Sequence, residues 1–209
     1  MDYLTLCQTA RQRAGMSGAG PAQVTGNSGE MARLVDWVRQ AWLELQGGHM
    51  GEWNALWRPL DLPVSAGAAE LDPPADLRRL VRDRLYFDDR PLSWHAWRDL
   101  PRQPGQGQHP TAIAERPDGK LVLWQAPESA GTLHGEYYAR LQVLENGDDE
   151  PWLPRHLQDA IIYQALIYYA TYEDAPEIYQ DARDSVMDYQ LRMANELLPA
   201  WDLTAGPIA

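Results

Sequence analysis

Five histidines, one cysteine and a surplus of carboxylates are the side chains from which this sequence could build a reactive site. His49, His95, His109, His134 and His156 nowhere fall at metal-ligand spacing, and Cys7 is the only thiol, so no zinc site is expected. His134 and Glu136 stand two apart, which puts them on one face of a strand, where they could form an acid–base pair. The same spacing describes the solvent-facing side of a sheet, and that is the reading adopted. Residues 15–26 (Gly-Met-Ser-Gly-Ala-Gly-Pro-Ala-Gln-Val-Thr-Gly) look like a phosphate-binding loop, but no Lys-Ser or Lys-Thr closes them and no strand precedes them. Asn146-Gly147-Asp148-Asp149-Glu150-Pro151 lacks the alternating ligands and distal glutamate of an EF-hand and reads as a solvated turn. There is no Gly-x-Ser-x-Gly elbow, and nothing singles out two carboxylates for glycoside chemistry. Catalytic, cofactor-binding and metal-binding residues are therefore all expected to be none, and the chain is not read as an enzyme.

Residues 154–175 are the segment around which the rest must be arranged. As a helix, one face carries Leu157, Ala160, Ile161, Gln164, Ala165 and Tyr168, and the opposite face Ile162, Leu166 and Tyr169. A helix that is apolar nearly all round has no side to give to water and should be covered on most sides. It is too short and too rich in tyrosine to cross a bilayer, which takes about 20 apolar residues.

Before it, Asp2 can cap a helix with Tyr3, Leu6, Cys7, Ala10 and Ala14 on its buried face, ended by Gly15. Cys7 then serves as a small buried apolar residue. Asn27-Ser28-Gly29-Glu30 has the spacing of a capping box. The helix it opens places Met31, Leu34, Val35, Val38, Ala41, Trp42 and Leu45 at steps of three and four. After 175, Pro176 suits a first helical turn, and the last helix shows Tyr179, Ala182, Val186, Tyr189, Met193 and Leu197 as its stripe.

The middle of the chain has a different texture. Residues 80–87 alternate as a strand would, with Asp88-Asp89 as the turn. Residues 111–116 and 121–124 flank Pro117-Asp118-Gly119-Lys120, a hairpin signal. Residues 132–143 are the clearest strand, with Leu133, Gly135, Tyr137, Ala139, Leu141 and Val143 on one side. A twisted antiparallel sheet is the economical reading, with strand placement least defined in the Ala- and Gly-rich stretch 51–75. The fold class is α+β, predominantly helical: an antiparallel helical bundle from residues 1–48 and 151–198, a β-rich antiparallel insertion at 49–150, and a docking tail at 199–209. In that tail Trp201, Leu203 and Ile208 are the expected interface residues.

The formal net charge is −12, which argues against a protein that grips phosphates, because such affinity comes from Lys and Arg displacing counterions. Nine Trp and ten Tyr stand against one Phe, a balance suited to surfaces apolar at one end and wet at the other. No basic and apolar leader opens the chain, which suggests assembly in the cytoplasm.

Several stretches taken in order resemble one family. They are Tyr3-Leu4-Thr5-Leu6-Cys7-Gln8; Gly15-Met16-Ser17-Gly18 with Gly20-Pro21; and the run from Val24 through Val38. Further on come Arg90-Pro91-Leu92, Trp97-Arg98-Asp99, Pro117-Asp118-Gly119-Lys120-Leu121 and Gly135-Glu136-Tyr137-Tyr138. The last are Leu157-Gln158-Asp159-Ala160-Ile161-Ile162-Tyr163-Gln164-Ala165-Leu166 and Tyr172-Glu173-Asp174-Ala175-Pro176-Glu177-Ile178-Tyr179. Together they resemble the portal adaptor (head-to-tail connector, head-completion) proteins of tailed bacteriophages. The resemblance implies a structural virion protein at the neck, a homo-oligomeric, dodecameric ring beneath the portal and in contact with a tail or nozzle protein. DNA would pass through its lumen without specific binding, with no cofactor and no membrane. Another neck component (a stopper or tail terminator) is the alternative, and a cell-wall hydrolase using Glu136 a more remote one. The helix assigned to residues 31–45 makes one check available. Val38→Asp would bury an unpaired carboxylate and should cost several kcal/mol, read as a lowered urea midpoint.

Overall fold

The computed structural model describes residues 1–18, 20–47, 52–100 and 109–199. They fall into two compact units, one drawn from Met1–Ala55 and Leu141–Ala209, the other from Leu56–Arg140. Among the described residues there are four helices and two sheets, an α+β arrangement.

The helices are α1 (Tyr3–Arg13), α2 (Gly29–Gly47), α3 (Asp159–Tyr172) and α4 (Pro176–Leu197). The expected apolar segment is α3, preceded by a single 3-10 turn at Arg155–Leu157, and it contacts α1, α2 and α4. Ala160, Ile161, Ile162, Ala165, Leu166 and Ala170 are all buried, so three neighbours cover what a one-sided helix would leave to solvent. Val38 and Trp42 of α2 are inaccessible, as are Leu6, Cys7 and Ala10 of α1. Burial pushes the Cys7 thiol up to about 12, as expected of a packed rather than a reactive sulfur.

Helix ends are closed by unlike means. Asp2 accepts the Thr5 amide at 2.7 Å, as its position suggests. The next free donors of α1, the amides of Tyr3 and Leu4, bond to the carbonyls of Asp149 (2.9 Å) and Gly147 (3.0 Å). The acidic turn read as solvated is thus also the lid on a helix terminus. Its geometry is held by Asp149, whose carboxylate accepts the amides of Glu145 (2.7 Å) and Asn146 (2.8 Å); these bonds draw its pKa below the ordinary range. The capping box at Asn27 does not form. Its amide donates instead to the Gln23 carbonyl at 2.7 Å, and Gly29 takes φ +59°, a turn that directs the chain into α2 without help from Asn27. At the other end of α2, the indole N–H of Trp53 lies on the Leu45 (3.2 Å) and Gln46 (3.0 Å) carbonyls.

The buried Gln46 side chain joins α2 to the chain that re-enters this unit at residue 141. Its amide nitrogen donates to the carbonyls of Gln142 (2.8 Å) and Trp42 (3.3 Å). Its oxygen accepts from the Gln142 amide (2.8 Å) and the Trp152 indole (3.0 Å). Trp152 also lies against Trp42, ring centroids 5.0 Å apart.

The second unit contains β1 (Trp57–Val64), β2 (Glu70–Leu71), β3 (Leu77–Leu80), β4 (Tyr86–Phe87), β5 (Arg90–Pro91), β6 (Ser93–Trp94), β7 (Ala112–Glu115), β8 (Leu121–Trp124) and β9 (Gly131–Ala139). One sheet runs β1-β9-β4-β5, with β3 also on β9; the other runs β2-β8-β7-β6. Leu60, Val64, Phe87, Leu133 and Tyr137 of the first sheet share a core with Leu71, Ile113, Leu121 and Leu123 of the second. Gly135 is required where β9 crosses this core: a Cβ there would meet Leu85 Cδ2 at 2.7 Å and the Arg84 carbonyl at 3.0 Å.

Four expectations about strands change. The single antiparallel sheet is two sheets, and β6 pairs with β7 in parallel. Residues 95–111 between them are long enough for the crossover that a parallel pair needs. The run 80–87 is not one strand: the chain turns after Leu80, with the Arg84 amide on the Val81 carbonyl at 3.3 Å, and resumes as β4. The strand at 132–143 stops at Ala139, because the Arg140 amide bonds to Asp76 (2.7 Å) and Gln142 is held by Gln46. The stretch with no assigned strand holds the eight-residue β1. The Asp-Gly hairpin is present, with Gly119 at φ +87° and the Arg116 amide on the Lys120 carbonyl at 2.8 Å.

Gln46→Leu should cost about 2–4 kcal/mol, because it strands the Trp152 indole and both backbone groups of Gln142 while leaving the volume filled. Urea unfolding should show a lower midpoint with an unchanged slope.

Candidate interaction surfaces

The candidate acid–base pair does not exist as a pair. His134 and Glu136 share the outer face of β9, but each is engaged by a different neighbour. His134 Nδ1 lies 2.6 Å from Asp61 across the β1 register. Glu136 accepts from the Trp57 indole (3.2 Å) and from Arg84 (3.1 Å). Each side chain is thus committed to a partner other than its neighbour on the strand, and the solvent-facing reading of this strand is the one the geometry supports. Among the described residues no group of three or more His, Cys, Asp and Glu side chains could hold a metal ion. His156 faces Glu196 at 2.9 Å, and His49 lies outside the described residues.

The glycine-rich loop has the opposite polarity to a phosphate cradle. It turns carbonyls inward: those of Ser17 and Gly18 accept from the guanidinium of the buried Arg11, and that of Pro21 from Gln8 at 3.1 Å. Such a loop serves a cation of its own chain.

What the geometry does assemble is a set of aromatic rings, largely at the surface, with arginines laid on them. On the outer face of the first sheet, Trp57 pairs across the register with Tyr138, and Arg79 covers the Tyr138 ring at 5.2 Å. Tyr86 and Trp57 are exposed there. Arg82 lies over Trp94 at 4.6 Å. In the helical unit Trp37 meets Tyr169 (centroids 6.2 Å) and Tyr172 (5.7 Å), and Arg33 covers Tyr172 at 4.4 Å. A cleft of about 640 Å³ is lined by Arg13, Tyr163, Leu166, Glu177, Ile178 and Asp181 among others. In it Arg13 bonds Asp159 at 2.7 Å and lies over Tyr163 at 4.9 Å. Trp, Tyr and Arg are the types enriched at the centres of protein interfaces. The sequence signalled this only through its Trp and Tyr surplus; which rings reach the surface depends on register and on helix packing, which composition does not carry. Trp201, Leu203 and Ile208 lie outside the described residues.

The model of the SU10 adaptor protein family matches residues 1–206. The chain belongs to that family. It is accordingly a phage structural adaptor, a virion component that works with other parts of the capsid and tail. No curated protein matches it. No helix among the described residues of this adaptor is long and apolar enough to cross a membrane.

The adaptor's hairpin at residues 116–120 carries one acid-sensitive contact. Arg116 forks between Glu70 (2.7 Å) and Asp118 (2.6 Å), and its bond to Asp118 draws that carboxyl down to about 2. A depressed folded pKa stabilises above the ordinary carboxylate range, and the gain is lost as pH falls through the folded value. The Asp118 carboxyl should therefore titrate near pH 2 by NMR, not at about 4, and in Arg116→Gln its midpoint should rise toward the ordinary value.

Proposed function

We propose that this protein forms the adaptor ring that joins the phage portal to the tail and lines part of the DNA passage. The observation that carries the reading is the family match across residues 1–206. In this reading the helices of residues 1–48 and 151–198 make the bundle core, residues 49–150 are its β-rich insertion, and copies assemble as a dodecameric ring on the portal. The Arg-covered rings of Tyr138, Trp94 and Tyr172 suit contacts with neighbouring subunits, and Trp201, Leu203 and Ile208 in the tail suit insertion into the portal or an adjacent copy. A net charge of −12 suits a channel wall along which DNA slides.

Native mass of the purified protein, alone and with portal particles, tests the ring: a ring that forms only on the portal is the expected result. Deleting residues 200–209 should abolish attachment while leaving the helical far-UV signal and the thermal midpoint close to those of the full chain. A shortened protein that still joins portals would overturn the role given to the tail.

A further inference from the structure

The charge of the chain is divided unequally between its two units. The helical unit (Met1–Ala55 and Leu141–Ala209) holds 18 carboxylate side chains against seven arginines, net −11. The β unit (Leu56–Arg140) holds 12 against ten arginines and one lysine, net −1. Within the β unit the cations are concentrated. Arg78, Arg79, Arg82 and Arg84 fall within seven consecutive residues, with Asp83 the one carboxylate among them. All four are exposed, from β3 through the turn that follows it. Arg79 and Arg82 are laid on the Tyr138 and Trp94 rings, a posture in which a guanidinium can still donate in its own plane.

The cleft beside α4 in the helical unit is the complementary feature. Tyr163, Leu166, Ile178 and Ala182 give it an apolar wall, and Glu177 and Asp181 an acidic one. These two carboxylates stand one turn apart on α4, about 6 Å between their Cβ atoms. Among the described residues neither is paired with a cation: Arg13, which lines the same cleft, is taken up by Asp159. At about 640 Å³ the cleft has room for more than one long side chain. Its layout suits arginine, whose apolar stem can lie along the wall while the head meets the carboxylates.

We infer that the arginine run at 78–84 of one copy docks in the Glu177–Asp181 cleft of the next copy. The inference rests on the ring reading and names its subunit contact. Charge complementarity selects the occupant. Two helical units brought together would each carry a net −11, whereas the β unit of a second copy brings its arginines to unpaired carboxylates. A contact between unlike surfaces is heterologous, and repeated around an axis it closes into a ring.

The test uses full-length chains on portal particles, with either the cleft reversed (E177K/D181K) or the run reversed (R79E/R82E). Each variant alone should load about ten-fold fewer copies per portal than the unaltered chain, because like charges now face each other. Far-UV spectra and thermal midpoints should stay close to those of the unaltered chain. An equal mixture of the two variants should restore loading. The reversed cleft of one then meets the reversed run of the other, and the two alternate around an even-numbered ring. A contact within one chain could not be rescued by mixing. If a reversed chain loses its thermal transition, E177Q/D181Q and R79Q/R82Q replace it, and loading unweakened in both would overturn the proposal. Reversed variants that each load normally would overturn it too. So would a mixture that fails like its components, which would give these surfaces to the portal or to a contact within the chain. Unaltered chains that form no ring on the portal would overturn the ring reading itself, and this contact with it.

Discussion

The helical unit depends on how the primary amide of Gln46 holds the returning chain. Residues 141–153 re-enter that unit outside any helix or strand, so their backbone polar groups have no ladder partner and must be met one by one, because an unpaired group there would forfeit the value of a hydrogen bond. Gln46 makes four contacts at once, to Trp42, Gln142 and Trp152. A primary amide carries a donor and an acceptor on separate atoms, so it can donate to and accept from a single backbone residue, as Gln46 does with Gln142. Leu would fill the space and Glu could only accept. With Gln142 fixed, Trp152 is brought onto Trp42, and the segment arrives in position to start α3 at Asp159.

A similar economy appears at the N-terminal end. Arg11 is buried, and a buried guanidinium needs acceptors for its donors. The loop after α1 supplies carbonyls from Ser17 and Gly18, with Gly18 at φ +89°, where other residues are strained. Gly18 therefore serves a left-handed turn that presents carbonyls to a cation of the same chain. From the other side, the 146–149 turn supplies carbonyls to the first amides of α1. Two segments that look like ligand loops in the sequence are thus each turned toward α1.

Much of the helical part was legible in the sequence, because burial of one stripe imposes a 3.6-residue period that survives in residue types. Leu34, Val35, Val38, Ala41, Trp42 and Leu45 are all buried, as their spacing predicts. So are the α1 stripe and most of α3. The stripe of α4 was half legible: Ala182, Val186 and Met193 are buried, while Tyr179, Tyr189 and Leu197 are only half-buried. Strand ends were not legible. Residues 132–143 alternate throughout, yet β9 ends at Ala139 because Asp76 and Gln46, distant in sequence, take the next backbone groups. The eight-residue β1 was hidden by Pro59 and Pro63, which normally argue against a strand. Both have the same parity on a strand at the edge of its sheet, where a missing N–H breaks no ladder bond and discourages pairing with another chain. The surface rings were invisible for a related reason: Arg79 meets Tyr138, and Trp57 meets Glu136, only through the register of β1 and β3 on β9.

That arrangement of arginines bears on the acidity of the chain. DNA is held by cations free to displace its counterions. Among the described residues, nine Lys and Arg side chains can be named that already lie on a carboxylate or a ring of the same chain. They are Arg13, Arg39, Arg84, Arg116, Lys120 and Arg192 on carboxylates, and Arg33, Arg79 and Arg82 on rings. A guanidinium lying flat on an aromatic face still presents its edge, so it can accept a carboxylate or a backbone carbonyl from a neighbouring protein without losing the ring. A phosphate backbone would have to compete with the carboxylates and would meet a net negative field besides. The same side chains are thus well disposed toward protein partners and poorly disposed toward nucleic acid, as the proposed place beside the DNA passage would require.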